Sequence, residues 1–124
     1  MAGEAYRELG RYPEAIDAYQ REERVRRRPS WGLGVTFARM GRTDEARQIA
    51  RALEARLVKT QLEADRIAAI YAALGDLDAA FAWLDRAVEL RTGMLTFIRL
   101  MPEYDVLRSD ARYPVLLRRL GWVR

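Results

Sequence analysis

Apolar side chains recur along this chain at steps of three and four residues, in segments that end at glycines. The residues Leu33, Phe37 and Met40 form one stripe along a predicted helix. Ser30 precedes the stripe as a helix cap, and Gly41 follows it, where a left-handed residue ends a helix at low steric cost. A second apolar run begins directly afterwards. The pattern therefore predicts a helix, a tight turn and a second helix.

The same pattern occurs three times, which indicates an internal repeat. Glycines recur 31 and 34 residues apart, each with an aromatic residue four positions before it and an alanine five positions after it. These sets are Gly10, Gly41 and Gly75; Tyr6, Phe37 and Tyr71; and Ala15, Ala46 and Ala80. A small residue at this position lets paired helices approach closely beside the aromatic ring. We expect repeats at about 1–29, 30–59 and 60–92.

Residues 93–124 follow the last repeat and are predicted to cover its apolar end. The helix predicted over about 77–91 is apolar on more than one side, so both of its flanks should be buried. The preceding helix covers one flank, and the tail covers the other. Asp110 is expected to cap a short final helix, and Arg108 or Arg112 to bridge to the acidic third repeat.

The repeat resembles the tetratricopeptide repeat, a helical hairpin with a 34-residue period and the pattern Leu-Gly-x2-Tyr in its first helix. The second repeat reads Leu33-Gly34-x2-Phe37, and the other two repeats keep the same register over about residues 1–92. The resemblance implies an all-α fold. It implies an α-solenoid of about three helix-turn-helix repeats plus C-terminal capping helices, in a single domain over residues 1–124.

The tail carries a second resemblance. Residues 107–113 read L-R-S-D-A-R-Y, similar to a segment found after the last repeat in bacterial tetratricopeptide-repeat regions attached to signalling proteins. This implies a bacterial protein, and the chain is interpreted as part of a longer repeat protein. The absence of cysteine, and hence of disulfides, is typical of cytoplasmic proteins, so we expect a cytoplasmic location.

The resemblance also implies a function, which is non-catalytic binding of a protein or peptide segment in a concave groove. The groove positions of the family give a basic middle and one aromatic residue, so we expect a partner that carries acidic groups. Trp31 would anchor it, although packing between repeats is an equally weighted interpretation of Trp31. The predicted groove residues are Arg7, Arg28, Trp31, Val35, Arg39, Asp65 and Arg66.

Composition narrows the alternatives. The chain has no Cys and no His, which excludes Cys/His zinc sites, cysteine nucleophiles and histidine bases. We therefore expect no enzyme activity, no cofactor and no metal. The net charge is +4, yet nucleic-acid binding is the least favoured function, because a bias towards arginine in the composition explains the charge and net charge bears mainly on solubility and non-specific binding. No apolar stretch is long enough to cross a membrane. A regulatory or self-association role within a larger signalling protein remains the alternative.

Overall fold

The computed structural model describes residues 2–27, 29–60, 64–90, 98 and 100–120. Within these ranges the chain forms α-helices and one 3₁₀-helix, and no strand. The elements are α1 (Ala2–Glu8), α2 (Tyr12–Arg26), α3 (Trp31–Arg39), α4 (Thr43–Thr60), α5 (Ala64–Leu74), α6 (Leu77–Leu90), the 3₁₀-helix (Pro102–Leu107) and α7 (Arg112–Arg119). The predicted tail residues at 93–97, 99 and 121–124 lie outside the described part of the chain.

The first six helices pair into three successive hairpins. Helix α1 packs on α2, α3 on α4, and α5 on α6. Helix α3 lies between α1 and α5, so the first helices of the hairpins form one layer. The second helices α2 and α4 each contact the first helix of the next hairpin. The predicted all-α repeat solenoid is confirmed.

The turns between paired helices follow from glycine. Gly10, Gly41 and Gly75 have φ values of +76°, +81° and +82°, a left-handed conformation that L side chains rarely adopt. No atom lies within 4 Å of a Cβ built on any of the three, so the backbone conformation, and not crowding, requires glycine. At the start of α3, the Ser30 hydroxyl accepts the N–H of Leu33 at 3.4 Å, as predicted for a cap.

The repeated alanines and aromatics occupy equivalent places in each hairpin. Ala15, Ala46 and Ala80 are each fully buried, which confirms close helix approach at these points. Of the three aromatic residues, Tyr6 and Tyr71 are half-buried, whereas Phe37 is buried. The guanidinium carbons of Arg11 and Arg42 cover the rings of Tyr6 and Phe37, at 5.1 Å and 4.5 Å from the ring centroids.

Helix α7 covers the outer side of α6, as predicted from the broad apolar surface of that helix. Arg112 bridges to Asp78 at 2.8 Å, and Arg119 bridges to Asp85 at 2.6 Å. The two bridges join equivalent positions one heptad apart on the two helices. The predicted bridge from Arg112 to the acidic third repeat is confirmed.

Asp110 caps the start of α7 with its side chain, as predicted. Ala111 directly precedes α7 and is already helical, with φ −61° and ψ −23°, and its side chain makes no capping hydrogen bond. The Asp110 carboxylate instead accepts the backbone N–H of Arg112 at 2.9 Å and the guanidinium of the same residue. These hydrogen bonds lower the pKa of Asp110 to about 2. The Asp110 carboxylate therefore provides the predicted cap, although α7 itself begins at Arg112.

The low pKa of Asp110 makes its contribution to stability dependent on pH. A carboxylate with a depressed folded-state pKa stabilises the fold above its unfolded pKa of about 3.9 and loses this effect as the pH falls towards the folded value. We expect Asp110→Asn to lower the urea midpoint at pH 7, and the difference from wild type to shrink between pH 4 and pH 2. Urea titrations at the three pH values test this. A difference that is the same at pH 7 and pH 2 would contradict it.

Candidate functional site

The first helices α1, α3 and α5 form one surface, here called the first-helix face. This is the surface on which the resemblance placed a groove. In the structure it carries the 3₁₀-helix Pro102–Leu107, here called the tail segment, which packs on α5. The tail segment thus lies where a bound peptide was expected.

A buried ion pair joins the first helix to the tail segment. Arg7 is 1% exposed and Glu103 is 5% exposed. The Nη2 atom of Arg7 donates to Oε2 of Glu103 at 2.7 Å, and Nη1 donates to the Tyr19 hydroxyl at 3.2 Å. The Nε atom donates to Oε2 of Glu8 at 2.9 Å. Each guanidinium nitrogen therefore has a partner, which is the condition for burying a charge at tolerable cost.

The ion pair extends across the face through Glu8. The Nη1 atom of Arg39 on α3 also donates to Oε2 of Glu8, so charges of alternating sign run from α3 through α1 to the tail segment. Partial burial pushes the pKa of Glu8 upwards, but the hydrogen bonds from Arg7 and Arg39 outweigh it, and the pKa is lowered overall. Glu8 is therefore ionised at neutral pH and links the two arginines.

Tyr104 provides the second attachment of the tail segment. Its side chain is 1% exposed, and its hydroxyl donates to the backbone carbonyl of Asp65 at 2.7 Å. Burial raises the pKa of Tyr104 well above its usual value, so the hydroxyl stays protonated and remains a donor. Leu107 is fully buried as well. The tail segment is held on the first-helix face by the Glu103 and Tyr104 contacts, and Leu107 belongs to the buried hydrophobic core.

A small open cleft of about 210 Å³ borders the tail segment. Its walls combine the apolar side chains of α5 with residues of the tail segment, and the Arg39 side chain lies at its edge. The lining residues are Arg39, Ala72, Ala73, Pro102, Glu103 and Val106. Among these, Val106 is 48% exposed, so the outer wall of the cleft is apolar and open to solvent.

Three of the predicted groove residues have no side-chain surface left for a partner, contrary to the prediction. Arg7, Val35 and Asp65 are at most 1% exposed. Val35 is covered because α3 packs between two other first helices. Arg7 and Asp65 lie against the tail segment, through Glu103 and Tyr104.

The remaining predicted groove residues keep part of their surface. Trp31, Arg39 and Arg66 are half-buried. Trp31 packs against the hydrophobic core, which agrees with the interpretation of this residue as packing between repeats. Arg28 lies outside the described residues. Contact between these side chains and a partner stays a prediction.

Sequence reasoning missed the pairing of Arg7 with Glu103, although one signal was available. The positions equivalent to Arg7 in the next two repeats hold Ala38 and Ala72, which are 8% and 1% exposed. A charged residue at a position that other repeats fill with a buried alanine requires an ionic partner. The sequence gives no local sign of where that partner lies.

The described residues show no arrangement suited to metal binding. Within them, no group of three or more acidic side chains lies close enough together to hold an ion. No described helix has both the length and the apolar character needed to cross a bilayer.

The architecture defines a class, the α-solenoids, whose stacked helical hairpins expose extended surfaces for recognition. The tetratricopeptide repeat family matches residues 1–57 and again residues 64–95, which is most of the chain. The protein belongs to the tetratricopeptide repeat family. Repeats of this family generally mediate protein–protein interactions and are typically non-catalytic. Among curated proteins and among solved structures, nothing matches the chain.

Proposed function

We propose that this protein is a non-catalytic interaction module that binds a short segment of a partner protein on the first-helix face. One observation supports this most. The face already holds a six-residue segment of its own chain, with Glu103 on Arg7 and the Tyr104 hydroxyl on a backbone carbonyl of α5. A surface that binds such a segment within the chain has the chemistry to bind one from another protein.

The partner segment is proposed to be acidic. Arg39 and Arg66 come from successive first helices and are half-buried, and a guanidinium suits carboxylate recognition through charge and paired N–H donors. Within the chain, Arg7 already binds the carboxylate of Glu103 in the tail segment. A regulatory role within a longer bacterial signalling protein, in the cytoplasm, is the second candidate, and the occupied face supports it because an occupant can control access.

Nucleic-acid binding is the least supported function. Phosphate binding depends on arginines and lysines that are free to replace counterions. Many surface arginines of this protein are instead paired with carboxylates of the same chain. These pairs include Arg11–Glu14, Arg21–Asp17, Arg42–Glu45, Arg112–Asp78 and Arg119–Asp85.

Arg39 offers a test of the proposed binding face. We expect Arg39→Glu to weaken binding of an acidic peptide by at least about tenfold, because a charged hydrogen bond is replaced by repulsion. The thermal midpoint should change little, since the pair of Arg39 with Glu8 is partly exposed and such pairs contribute at most about 1 kcal/mol. Peptides selected from a random displayed library on the full chain, followed by fluorescence anisotropy, provide the measurement.

The matched control is Arg21→Glu, which reverses an exposed arginine paired with Asp17 on α2. It should leave peptide affinity unchanged. If Arg39→Glu instead collapsed the thermal midpoint, Arg39 would belong to the fold and not to the binding face. Unchanged affinity with an unchanged midpoint would place the bound peptide elsewhere.

A further inference from the structure

We infer that the tail segment is a resident self-ligand of the first-helix face, and that a partner segment with a glutamate followed by a tyrosine displaces it. This inference rests on the proposed function, and it specifies the chemistry of the partner and the regulation of the face. The argument starts from how the chain holds Glu103 and Tyr104.

The carboxylate site is built by the first hairpin before the tail segment contributes anything. Two nitrogens of the Arg7 guanidinium are held by Glu8 on α1 and Tyr19 on α2. These contacts fix the plane of the guanidinium and direct the third nitrogen, Nη2, at the tail segment. The site therefore presents one oriented charged donor to whichever carboxylate occupies it.

The second site selects tyrosine. The carbonyl of Asp65 lies at the start of α5 and accepts the Tyr104 hydroxyl at 2.7 Å, in surroundings that leave the tyrosine 1% exposed. A buried site that bonds a hydroxyl discriminates against the same ring without one, since the loss leaves an acceptor unpaired. Phenylalanine should therefore bind less well than tyrosine.

After Tyr104, the next residue of the tail segment expected to contribute to recognition is Leu107. Asp105 and Val106 are exposed, whereas Leu107 is fully buried. The matching partner segment is therefore acidic, then aromatic with a hydroxyl, with an aliphatic residue three positions later. The tail segment itself has this order of residue types, in Glu103, Tyr104 and Leu107.

The tail segment and a partner segment with the same order of residue types compete for one binding site. The tail segment is tethered, so it acts at a high effective concentration and keeps the face occupied. The apparent affinity for an added segment is then reduced by the fraction of molecules whose face is open. A substitution that weakens binding of the tail segment should raise the affinity of the protein for an added segment. A substitution that weakens the added segment should lower that affinity.

The test uses the full chain and a fluorescein-labelled peptide with the sequence of residues 100–110. Tyr104→Phe in the protein removes one buried hydrogen bond and should raise the affinity for this peptide by about two- to tenfold. The same change in the peptide should lower affinity by a similar factor, and both changes together should restore the wild-type value. Asp105→Asn in the protein, at an exposed position of the tail segment, should have no effect.

Several results would overturn the inference. These are no binding of the peptide to any variant, equal affinity for the tyrosine and phenylalanine peptides, or a Tyr104→Phe protein with a lower thermal midpoint and no gain in affinity. Glu103→Gln serves as a second variant and should act in the same direction as Tyr104→Phe.

Library selection separates this inference from the proposed function. Enriched peptides that lack an acid–tyrosine pair and bind Tyr104→Phe no better than wild type would overturn the inference alone. Failure of every library to enrich on the wild type and on both tail variants would overturn the proposed function.

Discussion

Replacing Glu103 with alanine is expected to lower the free energy of unfolding by about 3 to 5 kcal/mol. The substitution leaves Arg7, which is 1% exposed, without its carboxylate at 2.7 Å. An uncompensated buried charge must draw in water or unfold its surroundings, and either outcome costs far more than the contact itself contributes. Urea unfolding followed by circular dichroism measures the loss.

Two further variants identify the cause of this loss. Asp105→Ala removes a carboxylate of the same segment whose pair with Arg108 is exposed, and it should cost at most about 1 kcal/mol. The double variant Arg7→Met, Glu103→Leu should recover most of the stability, because two apolar side chains of similar volume replace the pair. A loss below about 1 kcal/mol for Glu103→Ala would show that Arg7 is satisfied without Glu103.

Gly32→Val is expected to cost about 3 kcal/mol, at the upper end of overpacking effects. A Cβ at Gly32 would lie 2.4 Å from Cε1 and 2.5 Å from Cζ of Tyr19. Tyr19 is 1% exposed, and its hydroxyl accepts from Arg7, so the ring cannot turn away without breaking that hydrogen bond. The strain therefore reaches the Arg7 site as well as the packing of α3 on α2.

Urea unfolding of three variants tests this explanation. Ala82→Val adds a branched side chain at an exposed position of α6 and should cost well under 1 kcal/mol, mostly from helix propensity. Tyr19→Leu combined with Gly32→Val should cost less than the sum of the two single changes, since the smaller side chain vacates the space. Additive losses would show that Gly32 and Tyr19 do not compete for space.

Much of the fold could be predicted because its signals are local and repeated. The glycines that end the first helices, the Ser30 cap and the buried alanines each depend on a few neighbouring residues. Their recurrence at fixed offsets turns three weak signals into one strong one. The bridge from Arg112 to Asp78 was also predictable, since an acidic third repeat and a basic tail must meet if the tail covers α6.

The candidate site could not be predicted as well, because its contacts are neither local nor periodic. Nothing near Arg7 in the sequence indicates Glu103, and family positions alone placed the arginine in an open groove. The tail was expected to cover only α6, yet its 3₁₀ segment packs on α5. The burial of Val35 follows from the layer of first helices, which single-helix patterns do not reveal.

The contact between Arg7 and Glu103 affects how the chain folds during its synthesis. The two residues lie 96 positions apart, so the first hairpin leaves the ribosome long before the carboxylate that neutralises its buried arginine. A linear stack of repeats can fold one hairpin after another as it emerges. Here the buried arginine of the first hairpin gains its neutralising carboxylate only after residue 103 has been made.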